Sequence, residues 1–156
     1  MREIKLNFGY VTYVDDEDYE RLNKYKWSIL NGHVIYARRR NGYSLMHREL
    51  LPVPLGFETD HIDGDGLNNQ KDNLRISTRS QNAANSRFRV GGSSEFKGVA
   101  WNKRCRKWRA TIGVERQVKH LGLFKIEEKA ALAYNTAALK YFGEFARLNI
   151  VEARID

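Results

Sequence analysis

The chain has 156 residues and a formal net charge of +8, from 27 Lys/Arg against 19 Asp/Glu. Hydrophobic residues make up 42%, enough for a buried core, and the single cysteine excludes an internal disulfide framework and any multi-cysteine zinc site. No apolar run approaches the ~18 residues of a membrane span and the amino terminus lacks a signal-peptide core, so a cytoplasmic protein of one domain or two small ones, with no membrane partner, is expected.

Ile4, Leu6, Phe8 and Tyr10 alternate and are followed by Val11 and Tyr13, which predicts one or two strands over 3–14 with a turn near Asn7–Gly9. Asp15-Asp16-Glu17-Asp18 then opens a short helix to about Tyr25. Its acids suit the positive end of the helix dipole, and no chemistry is assigned to them. Trp27–Arg40 and Tyr43–Leu45 read as paired strands with turns at Asn31-Gly32 and Asn41-Gly42. Arg38-Arg39-Arg40 suits a phosphate backbone and a solvated edge equally. Met46–Leu51 is predicted as a short helix stopped by Pro52 and Pro54. His33 and His47 are read as structural, with the part of His47 in any chemistry left open.

Residues 59–86 are polar and rich in Asn, Asp and Gly. Asp63-Gly64-Asp65-Gly66 first suggests a calcium loop. Counted from Asp63, however, the fifth position is Leu67 and the twelfth is Leu74, where oxygen ligands are required, so an EF-hand is excluded. What remains is Asp60 beside His61, then Asn73 twelve residues on, then Asn82 nine further. Singly, each has an ordinary reading: turn carboxylates for Asp60 and Asp63, an Asx-turn for Asn73, a helix cap for Asn82. Together with Ile62-Asp63-Gly64, Asn68-Asn69, Asp72-Asn73-Leu74 and Ser80-Gln81-Asn82, the pattern resembles the HNH nuclease family. That resemblance implies a ββα-metal motif, in which an Asp-His strand leads through a hairpin loop to a helix carrying the last ligand. Met46-His47-Arg48 resembles the segment that leads into the motif in phage-type members. Asn82 stands where many members carry His, a variant the family also uses.

The residue types fit that chemistry. Phosphodiester hydrolysis needs an activated water, a Lewis acid on the phosphate and stabilisation of the leaving oxygen. His61, with an unperturbed pKa of ~6.5, is suited to take a proton from water. Strand alternation points Asp60 to the opposite face, where it suits a metal. Asn82 offers an amide oxygen, and such an oxygen-rich site favours Mg²⁺ or Mn²⁺ over Zn²⁺. By resemblance, Asn73 is no ligand but bridges the hairpin backbone and holds the His61 strand in place.

The stretch at 86–95, SRFRVGGSSE, contains a Gly/Ser-rich linker. The boundaries are drawn as a nuclease domain over 1–88, a linker at 89–95 and a second domain over 96–152.

Residues 1–85 hold 12 basic and 12 acidic residues, so the whole excess of charge lies beyond them, where 15 face 7. Within 95–125 the count is 9 to 2, interleaved with Phe96, Trp101 and Trp108, a pattern that favours a phosphate-binding face over a merely solubilising one. Strands are predicted at 96–102, 107–114 and 117–124. In the second, Trp108, Ala110, Ile112 and Val114 share one face, and Lys107, Arg109 and Thr111 the other. A helix over 127–142 carries Ala130, Ala131, Tyr134, Ala138 and Tyr141 at helical spacing. The expected fold is α+β: the nuclease motif with extra strands, then a three-stranded antiparallel sheet with one helix across one face and its basic face open.

Phe96-Lys97-Gly98-Val99, Lys107–Ile112, Leu121-Gly122-Leu123-Phe124, Ala130–Asn135, Phe142-Gly143 and Ala146-Arg147-Leu148-Asn149 resemble the ethylene-response-factor (Apetala-type) DNA-binding domain. That family docks its sheet in the DNA major groove. The DNA-facing candidates are Lys97, Asn102, Arg104, Arg106, Lys107, Arg109, Thr111, Arg116 and His120. Trp108 is expected under the helix; Trp101 suits packing and base stacking alike. Ala100 and Gly113 replace base-reading arginines of the plant proteins, His120 replaces a tryptophan, and the 102–106 loop is about one residue longer. The plant target is therefore not carried over.

The combination resembles the free-standing HNH homing endonucleases of phages and mobile introns. It implies a metal-dependent, site-directed nuclease acting on double-stranded DNA in a bacterial or phage-infected cell. One motif cuts one strand, so a monomer nicks and a homodimer breaks both strands; the oligomeric state stays open. The rival reading is a DNA-binding regulator with an inactive nuclease remnant. An RNA-binding module fits less well, because the sheet lacks an exposed aromatic pair for stacking bases.

Overall fold

A computed structural model describes residues 1–86 and 91–152, and the internal contacts of the chain divide it into two units, Met1–Asn82 and Ala83–Asp156. Residues 89 and 90 of the expected linker lie outside the described residues.

The first unit opens with strands β1 (Arg2–Lys5) and β2 (Val11–Val14), paired antiparallel about a 3-10 turn at Asn7–Gly9. Helix α1 (Asp16–Leu22) follows, then strands β3 (Trp27–Leu30) and β4 (Tyr36–Arg39), paired with Trp27 opposite Arg39. The third strand expected at Tyr43–Leu45 is reduced to one bridge, Arg38 to Leu45. The Arg39 amide closes on the Ser44 carbonyl at 2.9 Å and helix α2 (Met46–Leu50) starts at once, which leaves no length for a ladder. Strands β5 (Phe57–His61) and β6 (Leu74–Thr78) then pair antiparallel, and helix α3 (Arg79–Asn85) follows.

Ile4, Val14, Leu22, Trp27, Ala37 and Met46 form the core of this unit. The Trp27 indole N–H donates to the Leu22 carbonyl at 2.9 Å, so the largest ring in the core carries no orphaned donor. The acidic run does more than begin a helix. The Asp15 carboxylate makes no cap bond; it accepts the Lys71 amide at 2.8 Å and the Gln70 side chain at 3.3 Å. Asp18 binds Arg21 at 2.7 Å and Lys71 at 2.9 Å. Burial works to raise the Asp18 pKa, but the bonds and charges of Arg21 and Lys71 outweigh it and hold the carboxyl below its usual value. Strand β2 grips the same loop through its backbone: Tyr13 N–H to Leu67 O at 2.9 Å, and Asn69 N–H to Tyr13 O at 2.8 Å.

In the second unit, strands β7 (Val99–Asn102), β8 (Lys107–Val114) and β9 (Gln117–Phe124) form an antiparallel sheet in that order, with helix α4 (Glu127–Phe142) packed against it. Alanines 130, 131, 137 and 138 are buried, and small side chains there let the helix approach the sheet closely. Trp108 packs under the helix as expected, and Trp101 meets it edge-on at 5.1 Å. Two amides clasp the ends of the unit. Asn149 accepts from Lys97 N at 2.6 Å and donates to Lys97 O at 3.1 Å; Asn135 does the same to the backbone of Asn149 at 2.8 and 2.9 Å.

Gly98 has φ +76, and a Cβ there would stand 2.1 Å from the Tyr134 ring and 2.6 Å from the Thr111 carbonyl. Gly113, in β8, has nothing within 4 Å of such a Cβ. Gly98→Ala should therefore destabilise the second unit by at least ~2 kcal/mol, through strain and overpacking together. Gly113→Ala should stay within ~0.5 kcal/mol of the parent. Urea denaturation of the two variants checks the contrast, and equal stabilities would refute the close packing of Tyr134 on Gly98.

Candidate active site

Strand β5 divides the site, because successive side chains leave opposite faces. On one face, His61 is buried with its Nε2 3.2 Å from Asn69 Oδ1. The rings of His47 and Tyr36 pack against it, with centroids 5.0 and 5.7 Å away. Burial pushes the His61 pKa down, and the Asn69 bond and the charges of Asp63, Asp60 and Asp65 only partly oppose it. The imidazole is thus neutral at pH 7 and able to accept a proton. His47 is pushed further, to about 3, by burial first and then by His61 and Arg48. It is a neutral neighbour of His61, and its Nδ1 has no hydrogen-bond partner among the described residues. Burial and the charges of Asp60 and Glu58 raise the Tyr36 pKa, so that phenol stays protonated.

On the other face of β5, Asp60 is buried and accepts the Arg75 Nε–H at 2.9 Å from the facing position on β6. Glu58, two residues earlier, accepts the Asn82 Nδ2–H at 2.6 Å. Asn82 is delivered by α3, whose start is held by a capping box. Gln81 Oε1 accepts the Thr78 amide at 2.8 Å, and Thr78 Oγ1 accepts the Gln81 amide at 3.3 Å. With Nδ2 turned to Glu58, the Oδ1 of Asn82 is the group left for a cation. Carboxylate and amide oxygens are hard donors, so the chemistry of the set fits Mg²⁺ or Mn²⁺.

Asn73 joins neither face. Its Oδ1 accepts the Asp63 amide at 3.1 Å, and its Nδ2 donates to Asp63 Oδ1 at 3.0 Å and to Asn68 O at 2.8 Å. These bonds tie the two ends of the hairpin loop. Asp63 also accepts from Asp65 N and Asn68 Nδ2, each at 2.8 Å. Burial would raise its pKa; those bonds and the proximity of His61 bring it below the usual value. The Asp-Gly run is thus a self-bonded turn.

Sequence reading missed Glu58 and Arg75 and gave Asn69 no role of its own. Period-2 alternation from Asp60 reaches Glu58, but Arg75 becomes visible only once the strand register is known.

On the sheet of the second unit, Arg104, Arg106, Arg109, Arg116 and His120 are exposed. Lys107 and Thr111 are half-buried. Arg106 and Arg116 sit in tight turns at φ 49 and 64. Lys97 departs from the DNA-facing set. Its Nζ donates to the carbonyls of Ala83, Ala84 and Ser86 at 3.1, 2.5 and 2.8 Å, and burial followed by the charge of Arg147 lowers its pKa to about 8. Asn102 is also occupied locally, with Oδ1 accepting the amides of Arg104 and Cys105 at 3.0 and 3.1 Å.

Residues 52–84, which span the β5–β6–α3 unit, match a family model described as HNH endonuclease. An HNH endonuclease of Acanthamoeba polyphaga mimivirus is 30% identical over 154 residues, covering 92% of this chain and 77% of that protein. The chain belongs to the HNH endonuclease family. Protein 3.8 of Escherichia phage T7 is 34% identical over 96 residues, 62% of this chain and 78% of its own. An APETALA2-like protein 2 of Oryza sativa is 41% identical over 64 residues, 40% of this HNH protein and 14% of the plant one. No helix among the described residues is long and apolar enough to cross a membrane.

Folded His47 has a pKa of about 3, against ~6.5 for an unfolded histidine, so the unfolded chain binds the extra proton between those values. The stability that its burial contributes is fully present above pH ~6.5 and is lost progressively as the pH falls toward 3. For this one proton the slope approaches ~1.4 kcal/mol per pH unit. Urea denaturation followed through amide resonances of the first unit should show the decline, and His47→Phe should flatten it. An unchanged slope in that variant would remove His47 from the buried set.

Proposed function

We propose that this HNH protein is a metal-dependent, site-directed DNA endonuclease of the homing type, which nicks duplex DNA located by its C-terminal sheet. The observation that carries the reading is a neutral, buried imidazole, His61, one residue along β5 from a carboxylate whose strand face also holds Asn82.

His61 takes a proton from the attacking water. The water oxygen then bonds to phosphorus as the bond from phosphorus to the 3′-oxygen breaks, and that oxygen leaves and is protonated by solvent. HNH nucleases typically use a divalent metal. Asp60 and Asn82 would hold Mg²⁺ or Mn²⁺ here, which when bound supplies Lewis-acid stabilisation of charge on the phosphate oxygens. Glu58 orients Asn82, and Arg75 holds Asp60 in the fold. Asn73 keeps the loop closed so that His61 stays in register with Leu74.

The second unit supplies the address. A three-stranded sheet enters a major groove ~12 Å wide. Arg109 and His120 project from its uncovered face, and Arg104, Arg106 and Arg116 stand at its turns, within reach of phosphates. The likeness to an APETALA2-like protein supports this use of the sheet.

A supercoiled plasmid carrying DNA that flanks the protein's own gene should convert to open circles with Mg²⁺ or Mn²⁺ and stay intact with EDTA. His61→Ala should lose at least ~10²-fold in cleavage with duplex affinity unchanged. Asp60→Ala should lose the metal-dependent rate. A His61→Ala protein that still cuts would sink the general-base role. Tight duplex binding with no conversion would assign the protein to the regulators instead.

DNA binding by the full chain should weaken steeply with salt. Arg109→Ala should reduce the salt slope by about one if it contacts phosphate, or relax sequence preference if it reads a base. Binding unchanged in salt slope and preference alike would take Arg109 off the interface.

A further inference from the structure

We infer that Thr12 and Asn69 set the tautomer of His61, fixing its proton on Nε2 and its basic lone pair on Nδ1. The inference rests on the reading of His61 as the base and makes Thr12 and Asn69 positioning residues for it.

The direction of each hydrogen bond follows from the one before. The Leu67 carbonyl can only accept, and Thr12 Oγ1 lies 2.7 Å from it, so the hydroxyl donates there. The Met46 sulfur, 3.9 Å from the same hydroxyl, is the weaker acceptor. With its proton given to Leu67, Oγ1 accepts from Asn69 Nδ2 at 2.8 Å. That amide nitrogen also faces the Gly66 carbonyl, at 3.5 Å. Turning the Asn69 amide over would set its oxygen against Gly66 O and require the Thr12 hydroxyl to abandon Leu67. The amide is therefore held with Oδ1 toward His61 Nε2, 3.2 Å away. An amide oxygen has no proton to give, so Nε2 carries one. A neutral imidazole has a single N–H, and its lone pair falls on Nδ1. Thr12, Asn69 and His61 are 0, 1 and 4% exposed, so bulk water does not compete for these bonds.

The test reads the tautomer directly. Two-bond ¹H–¹⁵N correlation spectra of the full chain, taken without metal at a pH where His61 is neutral, should show the Nε2–H pattern in the parent and in Thr12→Ser. Thr12→Val, nearly isosteric but without the hydroxyl, and Asn69→Leu should show a mixed or inverted pattern. Both should lose ~10- to 100-fold in kcat for plasmid nicking, with the KM for DNA unchanged. A parent in the Nδ1–H form would overturn the inference whatever the variants do. So would an Nε2–H pattern that persists in Thr12→Val with other resonances in place. If the tautomer responds as expected while His61→Ala still cleaves, the relay stands and the general-base reading falls. If cleavage needs His61 but the parent is Nδ1–H, the relay falls and that reading stands.

Discussion

The carbonyl oxygen of Leu67 lies in a polar loop and can do nothing but accept. It takes the Tyr13 amide and the Thr12 hydroxyl, both from β2, and so joins the amino-terminal hairpin to the loop between the strands of the HNH motif. Much of the first unit follows from that join. The Asn69 amide returns a bond to Tyr13, while Asp15 and Asp18 hold Lys71. The region before the motif is therefore the wall behind His61. Within the loop, Asn73 and Asp63 meet each other's needs, so that Asp-Gly-Asp-Gly forms a turn whose acceptors serve its own N–H groups.

The two faces of β5 hold opposite electrostatic environments a few ångströms apart. His61, His47 and Tyr36 are aromatic, close-packed and uncharged: desolvation lowers both imidazoles, outweighing the nearby carboxylates at His61, and it raises the phenol. Asp60 is equally buried, but Arg75 lies opposite it and the pair compensates the loss of water. A buried pair of this kind is a modest source of net stability, yet breaking it would strand a charge at a cost of ~3–5 kcal/mol. Strand alternation thus places a desolvated imidazole and an arginine-paired carboxylate on adjacent residues.

What could be read from the sequence was local. The three strands of the second unit and helix α4 follow from alternation, helical spacing and turn residues, whereas the β5–β6–α3 motif was implied by the resemblance to the HNH family. Asp60, His61, Asn73 and Asn82 stood out as candidates through the same resemblance. Glu58 and Arg75 needed the register of an antiparallel pair, and Thr12 needed a contact across 57 residues with Asn69. Lys97 and Asn102 show the converse. Counted by residue type they belong to a basic, polar sheet face, but backbone groups nearby engage the Lys97 ammonium and the Asn102 Oδ1. Tyr43–Leu45 has strand-like composition and a turn before it, yet α2 begins too soon for a ladder to form.

The clasp between β2 and the motif loop has a kinetic consequence. Thr12 meets Leu67 across 55 residues and Lys71 meets Asp15 across 56, so the contacts behind His61 form only after a long loop of chain has been drawn in. The entropy of closing a loop grows slowly with its length, but it must be met before any of these contacts repays it. The sheet of the second unit is a meander of neighbouring strands followed directly by its helix, and needs much shorter closures. During synthesis the amino-terminal hairpin emerges first and must wait for the loop near residue 70. A chain interrupted before that point carries β2 without the loop it binds.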